Sequence, residues 1–339
     1  MNIEKNISLL PYTTFGINCY ASTFIEYDNI DELVELIHNG IFKSKYLHIG
    51  AGSNLLFTKD FQGTVIHSRI KQIEWIDNSD SEFVLYRVGS GVVMDDFILF
   101  CTENQIFGLE NLSGIPGEVG SSAVQNIGAY GTEAEEYIHT VETINIFTGE
   151  KRNFTHEECK YGYRYSIFKE EKYKKYIVTS VIFKLKIKES YELSYKGITE
   201  ELDRLNLIPT LQNIRNTIIT IRDKKLPDYK VFGNAGSFFK NPIVAKSHID
   251  NLRKKYPQLP CYEISTDTTS LKVSAAWLIQ ECGLKGKSIG GATVYENQPL
   301  VIINKNNASG SDVQRLAEMI ITSVKEQFEI ELSPEVNIF

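Results

Sequence analysis

"HIGAGSNLLF", residues 48–57, decides how the first third of the chain is read. It overlaps "KYLHIG" (45–50), which reads as a short strand. Gly50 and Gly52 let a ligand approach the backbone, and Ser53 and Asn54 add hydrogen-bonding side chains. A pyrophosphate needs several backbone N–H donors, and a turn of this kind supplies them. The dinucleotide fingerprint asks for a third glycine three residues after Gly52, where this chain has Leu55. The fingerprint is therefore incomplete, and a plain strand-to-loop turn accounts for the motif equally well.

A second stretch shifts that balance. "NLSGIPGEVGSSAVQNIGAYGTE" (111–133) holds Gly114, Gly117, Gly120, Gly128 and Gly131, with Ser121 and Ser122 between them. It offers few large apolar side chains for a core. Ordering such a segment is entropically costly unless something binds it. Loops above about 12–15 residues without regular structure are usually functional or disordered. Two separated glycine-rich segments suit a long ligand with two phosphates, which favours a dinucleotide such as FAD over a single phosphate.

Outward from these loops, 339 residues suggest two or three domains. The net charge of −7 argues against general nucleic-acid binding. Cys19, Cys101, Cys159, Cys261 and Cys282 are odd in number and widely spaced, which reads as reduced thiols rather than a disulfide framework. The six histidines are scattered, so no metal is expected. "MNIEKNISLL" lacks the apolar core of a signal peptide, and no apolar run reaches the roughly 18–20 residues that span a bilayer. The expectation is a cytoplasmic monomer without membrane insertion.

The pattern along the chain is mixed α and β. "DNIDELVELIHNG" (28–40) and "VVMDDFILFCTENQ" (92–105) read as helices, and "GTVIHSRI" and "EFVLYRVGSG" as strands. "VETINIFTGEKRNF" reads as a hairpin around Thr148-Gly149. In "VTSVIFKLKIK", Val181, Phe183, Leu185 and Ile187 share one strand face. Residues 210–228 read as a helix ended by Pro227, and 273–283 as a helix stopped by Gly283. "SIGGATVYENQPLVIIN" reads as two strands around a turn. "SDVQRLAEMIITSVKEQFEIEL" reads as a helix capped by Ser311 or Asp312.

Three further stretches carry candidate chemistry. In "KYGYRYSIFK" (160–169), a strand reading puts Tyr161, Tyr163 and Tyr165 on one face and Arg164 on the other. "FGNAGSFFKNP" (232–242) places Ser237 after Gly233, Ala235 and Gly236. "LSPEVNIF" places Glu335 near the end of the chain. An aromatic strand, a glycine turn and a solvated charge describe each of them, taken singly, at least as well as chemistry does.

In order, however, "TTFGI" (13–17), "GAGSNLLF", "IPGEVGSSAVQNIGAYG", "YGYRYSIFK", "KLPD", "GNAGSFFKNP" and "PEV" resemble the UDP-N-acetylenolpyruvoylglucosamine reductase (MurB) family of peptidoglycan synthesis over nearly the whole chain. "LSYKGI" (193–198) resembles the substrate loop of the type I form. One departure is Asn337, where many relatives carry arginine after "PEV".

The resemblance implies an α+β protein. A vanillyl-alcohol oxidase-like (PCMH-type) FAD-binding fold of two subdomains (1–69 and 70–222, with the substrate loop near 190–200) precedes an α+β substrate-binding domain (223–330) and a returning C-terminal segment (331–339). It also implies that Leu55 marks a fold other than the doubly wound one. FAD would be held non-covalently by Gly50, Ala51, Gly52, Ser53, Asn54, Leu55, Pro116, Gly117, Gly120, Ser121, Ser122, Asn126, Gly128, Ala129, Tyr130 and Gly131.

The implied reaction passes a hydride from NADPH through FAD to the vinyl methylene carbon of enolpyruvyl-UDP-N-acetylglucosamine, giving UDP-N-acetylmuramate. Arg164 and Glu335 would stabilise the substrate carboxylate, and Ser237 would protonate the α carbon. Tyr163, Tyr195, Lys225, Asn241 and Gln298 would contact the nucleotide sugar. A flavin oxidase of the same fold and a non-catalytic nucleotide-sugar binder are the competing expectations.

Overall fold

A computed structural model describes residues 1–76, 80–264 and 267–339. The chain divides into two compact units, both discontinuous in sequence. One comprises 1–7, 21–52 and 62–224; the other comprises 8–20, 53–61 and 225–339.

The first unit carries two sheets. In the four-stranded sheet the order is Asn2–Ser8, Tyr20–Tyr27, Phe61–Ser68, Tyr46–Ile49, and the last two run parallel. Helix Ile30–His38 packs Leu33, Leu36 and Ile37 into a core with Ile25, Tyr27 and Ile66. Asn29 caps it by accepting from the Glu32 amide, and Gly40 leaves it at a left-handed φ of 74°.

The five-stranded sheet is antiparallel throughout: Lys151–Thr155, Ile138–Asn145, Tyr176–Lys186, Phe83–Gly89, Ile73–Ile76. Tyr176–Lys186 lies at its centre, and Val181, Phe183 and Leu185 are buried against Phe97 and Ile98 of helix Met94–Glu103. Ile187, expected on the same face, lies past the end of the strand and is exposed.

The second unit builds its core around helix Gly310–Phe328, whose Val313, Leu316, Ala317, Ile320, Val324 and Phe328 are buried. Its cap is Ser309 rather than Ser311 or Asp312. Ser309 Oγ accepts from the Asp312 amide at 3.1 Å, and Asp312 Oδ2 accepts from the Ser309 amide at 3.0 Å. This reciprocal box satisfies two amides of the first turn and starts the helix earlier than the periodicity suggests. Residues 288–304 hold three short strands, not two: Ser288–Ile289, Ala292–Val294 and Ile302–Asn304. Among the described residues, no helix is long and apolar enough to cross a membrane.

Candidate active site

The two glycine-rich stretches of the first unit meet. A Cβ built on Gly50 would lie 2.9 Å from Ser121 Oγ and 3.2 Å from Glu118 Oε2, so a side chain there would force Ser121 to shift. Gly52 and Gly117 sit at φ of 63° and 146°, in the region that favours glycine. Helix Val119–Gln125 follows, and its first amides are already engaged. Val119 donates to Val92 O at 2.9 Å, Gly120 to Ser90 O at 3.0 Å and Ser122 to Glu118 O at 2.8 Å. Gly120 is therefore packed against the Ser90 backbone, and the buried Ser122 hydroxyl donates to Glu118 O.

The end of the same stretch is equally built. Asn126 is buried and left-handed at φ 50°, donating to Glu133 Oε2 at 2.7 Å and to Gly162 O at 3.0 Å. Gly128–Ala129 pairs with Thr132–Glu133, and the two-residue turn between them is Tyr130-Gly131, with φ of 52° and 86°. Positive φ at both positions matches the tight turn whose twist suits a hairpin.

Arg164 is not on a strand. Gly162 and Tyr165 exchange backbone hydrogen bonds of 3.1 and 2.9 Å across a turn, and Arg164 sits in it at φ 54°. The three tyrosines therefore do not share a strand face. The turn aims the guanidinium at the 126–128 loop, where Nη2 donates to Gly128 O at 2.7 Å and Nη1 to Asn126 O at 3.4 Å. Its carbon lies 5.5 Å from the Tyr163 ring centroid. Tyr195, at the start of helix Lys196–Arg204, sets its ring edge-on to Tyr130 at 5.1 Å.

An ion pair that the motifs did not mark holds the second loop from behind. Arg215, on helix Leu211–Lys225, makes a bidentate pair with Asp95 at 2.6 and 2.8 Å. Asp95 also accepts the Gly114 amide at 2.6 Å, and Arg222, two turns along the same helix, donates to Gly114 O at 3.1 Å. Burial pushes the Asp95 carboxyl up, but Arg215 and the Gly114 amide outweigh it and hold it below its ordinary value. Lys225 ends this helix and is exposed.

In the second unit the small residues before Ser237 have different tasks. A Cβ on Gly233 would lie 2.2 Å from Phe15 O. Ala235 is core, and only Gly236 takes a left-handed φ, 68°. Asn234 exchanges bonds with Thr14: its amide donates to Thr14 O at 2.9 Å, and Thr14 Oγ1 donates to Asn234 O at 2.7 Å. Its side chain then accepts the Gly236 amide at 2.9 Å. "TTFGI" is thus the backing of the serine turn. We expect Gly233→Ala to cost about 1–3 kcal/mol, the usual range for forced overpacking, and to lower activity further by displacing the turn. Thermal unfolding and a turnover assay check both parts.

Ser237 is exposed, forms an isolated antiparallel bridge with Val301, and leads into the buried pair Phe238 and Phe239. Glu335, half-buried, donates its amide to Phe238 O at 2.8 Å, so the two segments lie side by side. Gln298 is close in the same unit, its carbonyl accepting the Val301 amide at 2.9 Å. Asn241 Oδ1 accepts the Ala275 amide at 2.9 Å, which fixes the orientation of its side-chain amide. Asn337–Ile338 pairs in parallel with Leu55–Leu56, and Asn337 Nδ2 donates to Asn54 O at 3.2 Å. Asn54 Nδ2 in turn donates to Glu335 O at 3.2 Å.

Besides Asp95 and Arg215, the motifs passed over Glu26, His67 and Glu118. Glu118 lies inside the second glycine stretch, which was the only signal available. A cleft of about 710 Å³ in the first unit lies elsewhere: Arg87, Glu142, Lys151 and Ser180 line it, and none of the expected site residues does.

The residues present fit an FAD cradle in their chemistry: Gly50 packs closely on the Ser121 loop, and Gly52, Gly117 and Gly131 take positive φ that a side chain would strain. Residues 22–154 match the FAD binding domain model, and residues 227–339 match the UDP-N-acetylenolpyruvoylglucosamine reductase C-terminal domain. The chain is 49% identical over 335 residues to the UDP-N-acetylenolpyruvoylglucosamine reductase of Bacteroides fragilis, covering 99% of each chain. It is 44% identical over 337 residues to that of Porphyromonas gingivalis, again covering 99% of each. The crystal structure of the reductase from Thermus caldophilus superposes with a TM-score of 0.70 at 25% identity, over 100% of this chain and 99% of that one. This chain belongs to the UDP-N-acetylenolpyruvoylglucosamine reductase family.

Proposed function

We propose that the protein reduces enolpyruvyl-UDP-N-acetylglucosamine to UDP-N-acetylmuramate, with NADPH as reductant, in peptidoglycan precursor synthesis. Family membership supports the reaction. The observation that carries the residue roles is the 2.8 Å bond from the Glu335 amide to Phe238 O, which sets Glu335 beside the serine turn.

FAD, held by the cradle, supplies the hydride that reaches the vinyl methylene carbon. Negative charge then develops on the substrate's α carbon and carboxylate. Arg164 answers it with a planar guanidinium that can engage two oxygens at once. Glu335 assists through a donor bonded between it and the substrate, since a bare carboxylate would repel the same charge. Ser237, exposed directly after the Asn234–Gly236 turn, donates the proton to the α carbon. Tyr163, Tyr195, Lys225, Asn241 and Gln298 bind the nucleotide sugar, Lys225 as a point charge for its diphosphate. The chain works as a cytoplasmic monomer, without nucleic acid.

The test is NADPH oxidation by the purified yellow protein, with and without the enolpyruvyl substrate. Oxidation that depends on that substrate is expected. Flavin reduction by NADPH without any turnover of the enolpyruvyl substrate overturns the assignment.

A further inference from the structure

We propose that His67 is a cofactor-positioning residue: held between Glu26 and Glu118, it offsets the Glu118 charge and so admits the FAD pyrophosphate to the cradle formed by the Gly50 and Gly117 loops. The inference rests on the assignment of those loops to FAD.

Glu118 stands inside the cradle. It precedes helix Val119–Gln125, its side chain accepts the Ser121 amide, and its Oε2 would be 3.2 Å from a Cβ on Gly50. A carboxylate is an odd neighbour for a pyrophosphate, since like charges repel strongly where water is scarce. His67, on strand Phe61–Ser68, provides the counter-charge. Its Nε2 lies 2.9 Å from Glu118 Oε1, and its Nδ1 lies 3.0 Å from Glu26 Oε1. The side chains of His67, Glu26 and Glu118 are only 14%, 14% and 8% exposed. A neutral imidazole has one N–H, whereas both ring nitrogens here lie within hydrogen-bond distance of a carboxyl oxygen, so the imidazolium is the form that can donate to both. The carboxylates engage opposite edges of the ring, so they do not converge on a shared metal ion.

The neighbours leave this task to His67. Arg69 Nη1 is 3.6 Å from Glu26 Oε2, and its Nε lies beside Asp28, so Arg69 serves the outer carboxylates. His48, on strand Tyr46–Ile49, is buried and bonded to Tyr27 Oη at 2.9 Å; burial pushes it down to about 3, so it stays neutral. Phe24 offers only its ring, 6.5 Å away. Burial lowers the His67 pKa, but Glu118 and then Glu26 overcome that and raise it above the ordinary value.

Below the raised value the imidazolium is present and the anion is tolerated. As pH rises through it, Glu118 is left uncompensated and FAD affinity falls. Proton linkage limits the fall to about tenfold per pH unit.

The test dilutes holoenzyme between pH 6 and 9 and reads released FAD by its fluorescence. The wild-type dissociation constant should rise with pH. Glu118→Gln should flatten that rise and bind more tightly than wild type at pH 9. His67→Gln should weaken binding by about tenfold at pH 6 and also flatten the profile, and adding Glu118→Gln to it should restore affinity. A merely structural His67 would not give this rescue or move the pH profile. A wild-type profile without slope, or a slope that persists in Glu118→Gln, overturns the inference. Gly50→Val is the separate check on the loops: it should release FAD at every pH, and unchanged affinity there overturns the loop assignment instead.

Discussion

Replacing Ser237 with alanine should leave flavin reduction by NADPH near the wild-type rate and slow the substrate half-reaction by about 10²–10⁴-fold, the usual worth of a positioned general acid. The two steps separate because only the second needs a proton at the substrate's α carbon. Structural damage should be slight. Ser237 is exposed, and the turn before it is held by Asn234, Gly236 and the Thr14 exchange, none of which uses the hydroxyl. Stopped-flow absorbance follows both half-reactions in one preparation. Normal oxidation of the reduced variant by enolpyruvyl substrate would remove Ser237 from the mechanism.

Asp95→Ala should cost about 3–5 kcal/mol, because it leaves the Arg215 guanidinium without its carboxylate in a buried site. Arg215 is 8% exposed and Asp95 30%, so solvent gives Arg215 little relief. The same change frees the Gly114 amide, so FAD affinity should fall with stability. Asp95→Asn keeps an acceptor and should lie between the two. The pH dependence has a definite sign. The folded pKa is below the ordinary 3.8, so the carboxylate's contribution is complete above that value and is lost as pH falls through the folded one. Wild type and Asp95→Ala should therefore converge in strong acid. Equal thermal midpoints at neutral pH would show that Asp95 and Arg215 are dispensable.

Periodicity made the long regular elements legible. Helices Ile30–His38 and Leu211–Lys225 and the hairpin of Ile138–Asn145 with Lys151–Thr155 appear where apolar spacing places them. Where it failed, a local backbone preference had overridden side-chain alternation. Tyr161, Tyr163 and Tyr165 alternate as a strand would, yet Arg164 takes a left-handed turn that carries its guanidinium to Gly128 O. Ser309 escaped notice as a cap because Gly310, a poor helix former, stands where the helix begins. Gly310 is required there: a Cβ would lie 2.3 Å from Phe57 O, a contact between segments far apart in sequence. The same limit hid Asp95–Arg215 and Glu26–His67–Glu118. Each joins charged residues from different elements, and no spacing rule marks such a pair before the fold brings it together.

The pairing of Asn337–Ile338 with Leu55–Leu56 joins positions about 280 residues apart in sequence. Synthesis at about 5–20 residues per second separates their emergence by roughly 15–55 s. Throughout that interval the Asn54 carbonyl waits for its Asn337 partner, and Phe57 for the ring of Phe339 that stacks on it at 5.5 Å. This pairing is therefore a late, long-range closure, whose cost is the entropy of joining segments far apart in the chain.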